Sequence, residues 1–157
     1  MTLTVNYWLI KRVTPLLLIG LALGQDCTAS DDTPGITLMG ECYSIENTTA
    51  IDRSWENLPG TISPGIGLLT NLTYLGLFNN ELTGGIPSEI WELKNIEFFR
   101  LENNQLINEI PENICELDFN WSKTTFFNIS NNQFSPPYPE CIKKYITIRI
   151  PPFVFNK

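Results

Sequence analysis

The sequence predicts a short right-handed solenoid of the α/β class, with a parallel β-sheet on its concave face, a mostly irregular or 3-10 convex side, and a cap at each end. Three observations carry that expectation: a 24-residue period, a strand-like alternation within it, and two cysteine pairs that flank it. The period comes first, because a missed repeat misassigns the whole fold. Reading Leu72, Leu75, Leu77, Asn80, Leu82, Gly84, Ile86, Pro87, Ile90 and Leu93 and adding 24 gives Ile96, Phe99, Leu101, Asn104, Leu106, Asn108, Ile110, Pro111, Ile114 and Leu117. Nine of the ten positions keep their character, and Gly84 to Asn108 departs. Subtracting 24 gives a degenerate first copy, Thr48, Ile51, Arg53, Glu56, Leu58, Gly60, Ile62, Ser63, Ile66 and Leu69. A fourth, incomplete copy follows a four-residue insertion, so that Phe127, Ile129, Asn132 and Phe134 stand 28 positions after Phe99, Leu101, Asn104 and Leu106.

Each part of the copy has a physical reading. Leu75 and Leu77 alternate with Tyr74, Gly76 and Phe78, which predicts a short strand with one face inward. Asn80 and Asn104 then turn the chain, their amides placed to bond backbone groups of neighbouring coils. Gly84, Ile86 and Pro87 begin the return path, and Ile90 and Leu93 point back to a shared core. A single coil cannot bury its leucines alone, so neighbours must stack. In the first copy Arg53 takes an inward leucine position, where an unpaired charge is costly. Either the strand opens there or the side chain snorkels out. Glu56 replaces the ladder asparagine of the same coil, which suits a copy bordering solvent or one that has decayed.

The strings over residues 72–87 (LTYLGLFNNELTGGIP) and 96–111 (IEFFRLENNQLINEIP) resemble the LxxLxLxxNxLxGxIP repeat of plant-type, 24-residue leucine-rich-repeat proteins. That group includes polygalacturonase-inhibiting proteins and the ectodomains of receptor-like kinases, and similar repeats occur in secreted bacterial proteins. The resemblance covers residues 42–134 and is specific for fold, while one such scaffold serves many functions. It implies that Gly40, Glu41 and Cys42 belong to a cysteine-containing N-terminal cap, and that Cys115 with residues 132–141 forms a C-terminal cap. Pro136, Pro137 and Pro139 there would stop further strand pairing. It also implies that the outward strand positions line the binding surface.

The ends and the composition add context. Lys11 and Arg12 precede an apolar run from Val13 to Leu23, and Ala22, Leu23 and Gly24 fit a cleavage site, so residues 1–24 read as a signal peptide. The run is too short for a spanning helix of roughly 20 residues, and no membrane span is expected once the signal is removed. The expected organisation is a cysteine cap at 25–47, three repeats at 48–119, a C-terminal cap with the incomplete repeat at 120–141, and a basic tail at 142–157. Residues 145–150 alternate in a way that suits either an edge strand or a disordered tail. All 17 acids fall between residues 25 and 141, among four basic residues, which disfavours nucleic acid as a partner. Four cysteines in an exported chain suggest two disulfides with three possible connectivities. Pairing within each flank, Cys27 with Cys42 and Cys115 with Cys141, is the economical one. Zinc is disfavoured by the absence of a Cys-x-x-Cys pair and of any histidine, and no metal or cofactor is expected.

The register places four columns on the concave face: Ala50, Tyr74, Phe98 and Phe126; Asp52, Gly76, Arg100 and Asn128; Ser54, Phe78, Glu102 and Ser130; Trp55, Asn79, Asn103 and Asn131. Trp55, Tyr74, Phe78, Phe98 and Phe126 thus fall at outward positions, with Gly76 opening a dent between Tyr74 and Phe78. Aromatics beside an arginine have the composition of interface hot spots. Strand pairing alone also favours aromatics, and a one-residue slip would turn them inward. Asp52 and Glu102 could bond ligand hydroxyls, so protein and glycan ligands both remain open. Sequons stand at Asn47, Asn71, Asn120 and Asn128. No histidine means no Ser-His-Asp or Cys-His site. Asp52 and Glu102, two coils or roughly 10 Å apart, are too distant for retaining glycoside hydrolysis and marginal for inverting. The expectation is a secreted, monomeric binding module rather than an enzyme. An inhibitor of an extracellular hydrolase and a vestigial fragment without its own ligand are the alternatives.

Overall fold

A computed structural model describes residues 26–117 and 126–146. The predicted leader at 1–24, the sequon asparagine Asn120 and residues 147–157 of the tail lie outside them. The chain winds as a solenoid whose concave sheet consists of β4 (Ala50–Asp52), β6 (Tyr74–Gly76), β8 (Phe98–Arg100) and β10 (Phe127–Asn128), all parallel and adjacent in that order. Ile51 pairs with Leu75, Leu75 with Phe99, and Phe99 with Phe127, so the 24-residue step and the later 28-residue step are both the true register. Among the described residues the convex side carries three 3-10 segments, η1 (Pro64–Leu68), η2 (Ser88–Glu92) and η3 (Glu112–Glu116). Pro87 and Pro111, with φ of −65°, stand at the N-caps of η2 and η3, where a fixed φ suits and a missing N–H is harmless.

Between the two sides runs a second set of parallel pairs that the sequence did not suggest. There β5 (Pro59–Thr61) joins β7 (Glu81–Thr83), and β9 (Ile107–Asn108) joins β11 (Gln133–Phe134). The bonds from Gln105 N to Leu82 O and from Ile107 N to Gly84 O, each 2.8 Å, link the two pairs. This ladder also explains the departure from the repeat. Gly60, Gly84 and Asn108 share a left-handed backbone with φ of 90°, 74° and 73°. Asparagine tolerates that region better than other side chains do, so Asn108 replaces glycine without disturbing the coil.

The predicted inward positions Leu72, Leu75, Leu77, Leu82, Ile90, Leu93, Ile96, Phe99, Leu101, Leu106, Ile110, Ile114 and Leu117 are all buried. Ile51, Ile62, Ile66 and Leu69 bury the same way, so the degenerate first copy keeps a working core. Trp91 was not among the periodic positions, yet it is fully buried and packs against Phe99 with ring centroids 6.2 Å apart. Its indole N–H has no hydrogen-bond partner, a cost of about 1–3 kcal/mol that the packing of the large ring must outweigh.

Asn80, Asn104 and Asn132 form the inner ladder. Asn104 accepts from Leu82 N at 3.0 Å and donates to Leu77 O and Leu101 O at 2.9 and 3.1 Å. Asn80 does the same for the first coil, accepting from Glu56 N and Leu58 N and donating to Arg53 O. Asn132 serves the third coil through Leu106 N and Leu101 O. Each asparagine thus reaches back to the coil before it. Position 56 has only the cap behind it, which is why glutamate is tolerated there.

The N-terminal cap is an antiparallel sheet of β1 (Asp26–Thr28), β2 (Pro34–Leu38) and β3 (Glu41–Ser44), tied by the Cys27–Cys42 disulfide. Ile36 and Leu38 bury against the first coil. Arg53 does not open its strand, since its N–H bonds Gly76 O and the ladder continues to Trp55. Its guanidinium instead reaches the border of the core, pairing with Glu56 at 2.6 Å and approaching Met39 O and Tyr43 Oη at 3.4 and 3.5 Å. At the other end Cys115–Cys141 joins η3 to a helix, α1 (Glu140–Ile146). Residues 145 and 146 are therefore helical rather than the start of an edge strand, and the cap extends past 141, because Ile142 is buried in the core.

Two predictions follow from the ladder and the cap. Asn104→Ala strands buried partners in two coils and should lower unfolding free energy by about 2–4 kcal/mol, while Asn103→Gly at the exposed neighbour, which keeps the left-handed backbone unstrained, should cost under about 1 kcal/mol. Urea unfolding decides this, and equal losses would refute the ladder's role. Asp31 accepts from Thr33 Oγ1 first and Asn47 Nδ2 second, which hold its carboxyl down to about 2 from 3.8. A folded pKa below the unfolded one means stability present at higher pH and lost as pH falls between about 4 and 2. Asp31→Asn should therefore flatten the melting temperature profile across that window, as thermal scans at each pH would show.

Candidate functional site

The first two columns lie on the concave strands, apart from Phe126, which directly precedes β10, and the third and fourth follow the strand ends. Parallel strands lie about 4.8 Å apart, a spacing at which rings in one column meet. Tyr74 and Phe98 have centroids 5.8 Å apart and Phe98 and Phe126 4.8 Å, both tilted at 37°. The three rings form a half-buried ridge, with Ala50 exposed at its N-terminal end. Mutual stacking is why these side chains are partly covered although they face outward.

In the second column the expected dent at Gly76 is filled. A Cβ there would lie 2.9 Å from the Tyr74 ring and Oη and 3.0 Å from Asp52 Oδ1, so Tyr74 leans across the glycine toward the exposed Asp52. Burial first, and the Asp52 carboxylate next, push the Tyr74 phenol above its usual range and keep it a neutral donor. Asp52 and Asn128 close the column at its two ends, each accepting from the serine two residues on, Ser54 and Ser130.

The third column corrects an expectation. Glu102 was expected to offer its carboxylate to a ligand, but it is 4% exposed and forms an ion pair with Arg100 Nη2. Arg100 in turn lies over Phe78, 4.3 Å from the ring centroid. Arg100 Nε and Glu102 Oε2 are buried without hydrogen-bond partners. The carboxylate thus acts beneath the face, holding a guanidinium over an aromatic ring.

The fourth column contains what the sequence left unread. Trp55, Asn79, Asn103 and Asn131 all have left-handed backbones, with φ of 64°, 55°, 58° and 55°. Asn103 donates to Asn79 at 2.8 Å and Asn131 to Asn103 at 2.6 Å, so an outer ladder runs beside the buried one. The doubled asparagines 79–80, 103–104 and 131–132 were the available signal. At the head of this column Trp55 is 72% exposed on a backbone that costs a bulky residue about 1–3 kcal/mol. Among the described residues no acidic, cysteine or histidine cluster could hold a metal, and no helix is long and apolar enough to cross a membrane.

The chain matches the family model described as Leucine Rich Repeat over residues 71–93 and 95–117. The structure of PEPR1 with AtPEP1 is 31% identical with a TM-score of 0.55, over 62% of this chain and 13% of that one. The plant peptide hormone receptor RGFR1, in complex with RGF2, is 34% identical with a TM-score of 0.50, over 57% and 14%. The Arabidopsis receptor kinase HAESA, solved with the peptide hormone IDA and the co-receptor SERK1, is 30% identical with a TM-score of 0.53, over 60% and 15%. This chain therefore spans 13 to 15% of the length of those three. No curated protein matches it in sequence.

The Arg100–Glu102 pair yields a prediction. Glu102→Gln should cost about 1.5–3 kcal/mol by leaving the arginine without its ionic partner. Adding Arg100→Gln should cost less than the sum of the single changes. A coupling below about 0.5 kcal/mol in the double-mutant cycle would show that the two groups act independently.

Proposed function

We propose that this chain, a plant-type leucine-rich-repeat protein, is a secreted binding module that recognises an extracellular peptide or protein segment through its concave face. The observation that carries the reading is the ridge of Tyr74, Phe98 and Phe126 beside the Arg100–Phe78 stack. An aromatic ridge along one column offers a ligand apolar contact across successive coils. An arginine already oriented by Glu102 loses little freedom on binding. Trp55 adds a large exposed ring at the N-terminal end of the face. The similar structures point the same way, because RGFR1 was solved with RGF2 and HAESA with the peptide hormone IDA. Two cysteine bonds suit an oxidising compartment, and the apolar leader suits export. Binding is favoured over hydrolysis because Glu102, one of the two carboxylates that could have formed a pair, is covered and committed to Arg100.

The test is selection from a displayed random-peptide library against the protein, with an oligosaccharide array in parallel. Peptides recovered on the wild type should bind Phe98→Ser and Trp55→Ala about 10- to 100-fold more weakly, the scale of a lost aromatic hot spot. The melting temperature should change little for Trp55→Ala, whose ring is exposed, and fall by several degrees for Phe98→Ser, which also loses its contacts with Tyr74 and Phe126. Recovered peptides indifferent to both substitutions would sink the assignment of the face. Binders confined to the sugar array would reassign the ligand to glycan, and no binder in either would favour a fragment without its own ligand.

A further inference from the structure

We infer that the chain carries N-linked glycans at two of its sequons, Asn47 and Asn71, on one border of the concave sheet, and that the sequon within the sheet at Asn128 stays bare. The inference rests on the extracellular reading above for the compartment and on geometry for the choice of sites. Asn47, Asn71 and Asn95 stand 24 residues apart, each three positions before a concave strand begins at Ala50, Tyr74 or Phe98. All three are exposed. Each uses its side-chain amide to bond backward: Asn47 Nδ2 to Asp31 Oδ2 at 2.9 Å, Asn71 Nδ2 to Glu46 O at 2.7 Å, and Asn95 Nδ2 to Thr70 O at 2.8 Å.

A primary amide has two N–H hydrogens, and such a bond occupies one of them. In oligosaccharyl transfer Nδ2 bonds to the anomeric carbon of a lipid-linked oligosaccharide. The bond from that carbon to the donor's diphosphate breaks, and one amide hydrogen leaves as a proton. The product still holds one N–H, which leaves Asn47 and Asn71 a donor for their backward bonds. Asn95 has the same position and the same bond but Glu97 where the hydroxyl residue is needed, which makes it an internal control.

Asn128 carries a complete sequon but differs in place and burial. It is half-buried in β10, in register with Arg100, and its Oδ1 accepts from Ser130 N–H and Oγ at 3.1 and 2.8 Å. A sugar there would lie across the column of Arg100 and Gly76, beside the Phe126 ring. The border bearing Asn47 and Asn71 is the one where the chain enters the concave strands. The outer asparagine ladder and Trp55 occupy the border where it leaves them. Glycans would thus wall one side of the first two coils and leave the rings and the opposite side open.

The full chain is produced in a plant-cell secretion host, recovered from the medium, and treated with peptide N-glycosidase in heavy-oxygen water. Mass spectrometry then reads which asparagines have become labelled aspartates. Asn47 and Asn71 should be labelled, with Asn95 and Asn128 unlabelled. Thr49→Ala and Thr73→Ala should each remove one label, whereas Thr73→Ser should retain it. Bare Asn47 and Asn71 in protein from the medium overturn this inference alone. A chain held in the cell with bare asparagines overturns the extracellular reading as well. Labelling of Asn128 to the same extent as Asn71 overturns the claim that the folded surface separates the sites.

Discussion

The inner asparagines, Asn80 and Asn104 buried and Asn132 half-buried, make the stack possible. A coil must turn at the end of its strand while still inside a packed core, and the turn leaves backbone N–H and C=O groups pointing at neither water nor strand. An unpaired buried amide costs about 1–3 kcal/mol, so several per coil would defeat the gain from the leucines. One carboxamide supplies an acceptor and two donors in a single rigid plane, enough to satisfy the turn and the coil behind it. Because the bonds run backward, the ladder has a direction. The first coil needs no asparagine of its own, since Asn80 already serves Glu56 N and Leu58 N.

Coil spacing then shapes the concave face. Side chains at one position of successive coils are held a strand spacing apart, close enough for rings to touch. Tyr74, Phe98 and Phe126 become a ridge, and Tyr74 also folds over Gly76. Arg100 settles between Phe78 and Glu102 for the same reason, with neighbours on its own strand and on the coil before. The outer ladder of Asn79, Asn103 and Asn131 stiffens the border of this face with bonds that repeat from coil to coil.

A stack has two open ends, and this chain treats them differently. At the N-terminal end a three-stranded sheet, a disulfide and the Arg53–Glu56 pair shield the first coil. The charge sits where a leucine would stand, yet at a border where the cap supplies Met39 O and Tyr43 Oη as partners. At the C-terminal end a disulfide draws α1 against η3, and Ile142 completes the core.

The repeat, its register, the inward leucines and the asparagine turn were legible in the chain because each is a local periodicity: a strand alternates every two residues and a coil recurs every 24. The columns of the concave face came from the same arithmetic. What a side chain does once it reaches that face was not legible, because it depends on residues one coil away. Glu102 and Asp52 look alike in sequence, but Arg100 and Phe78 cover the first while the second stays exposed. Gly76 reads as a gap until Tyr74 fills it, and Trp91, outside the periodic positions, packs on Phe99. The helix at 140–146 overlaps the alternating run at 145–150 only in its last two residues, and burial of Ile142 with the bond from Cys141 to Cys115 anchors its first turn. Sequence alone determined the solenoid and which residues face outward; the tertiary structure decided which of them remain available, since contact between coils is a property of the stack.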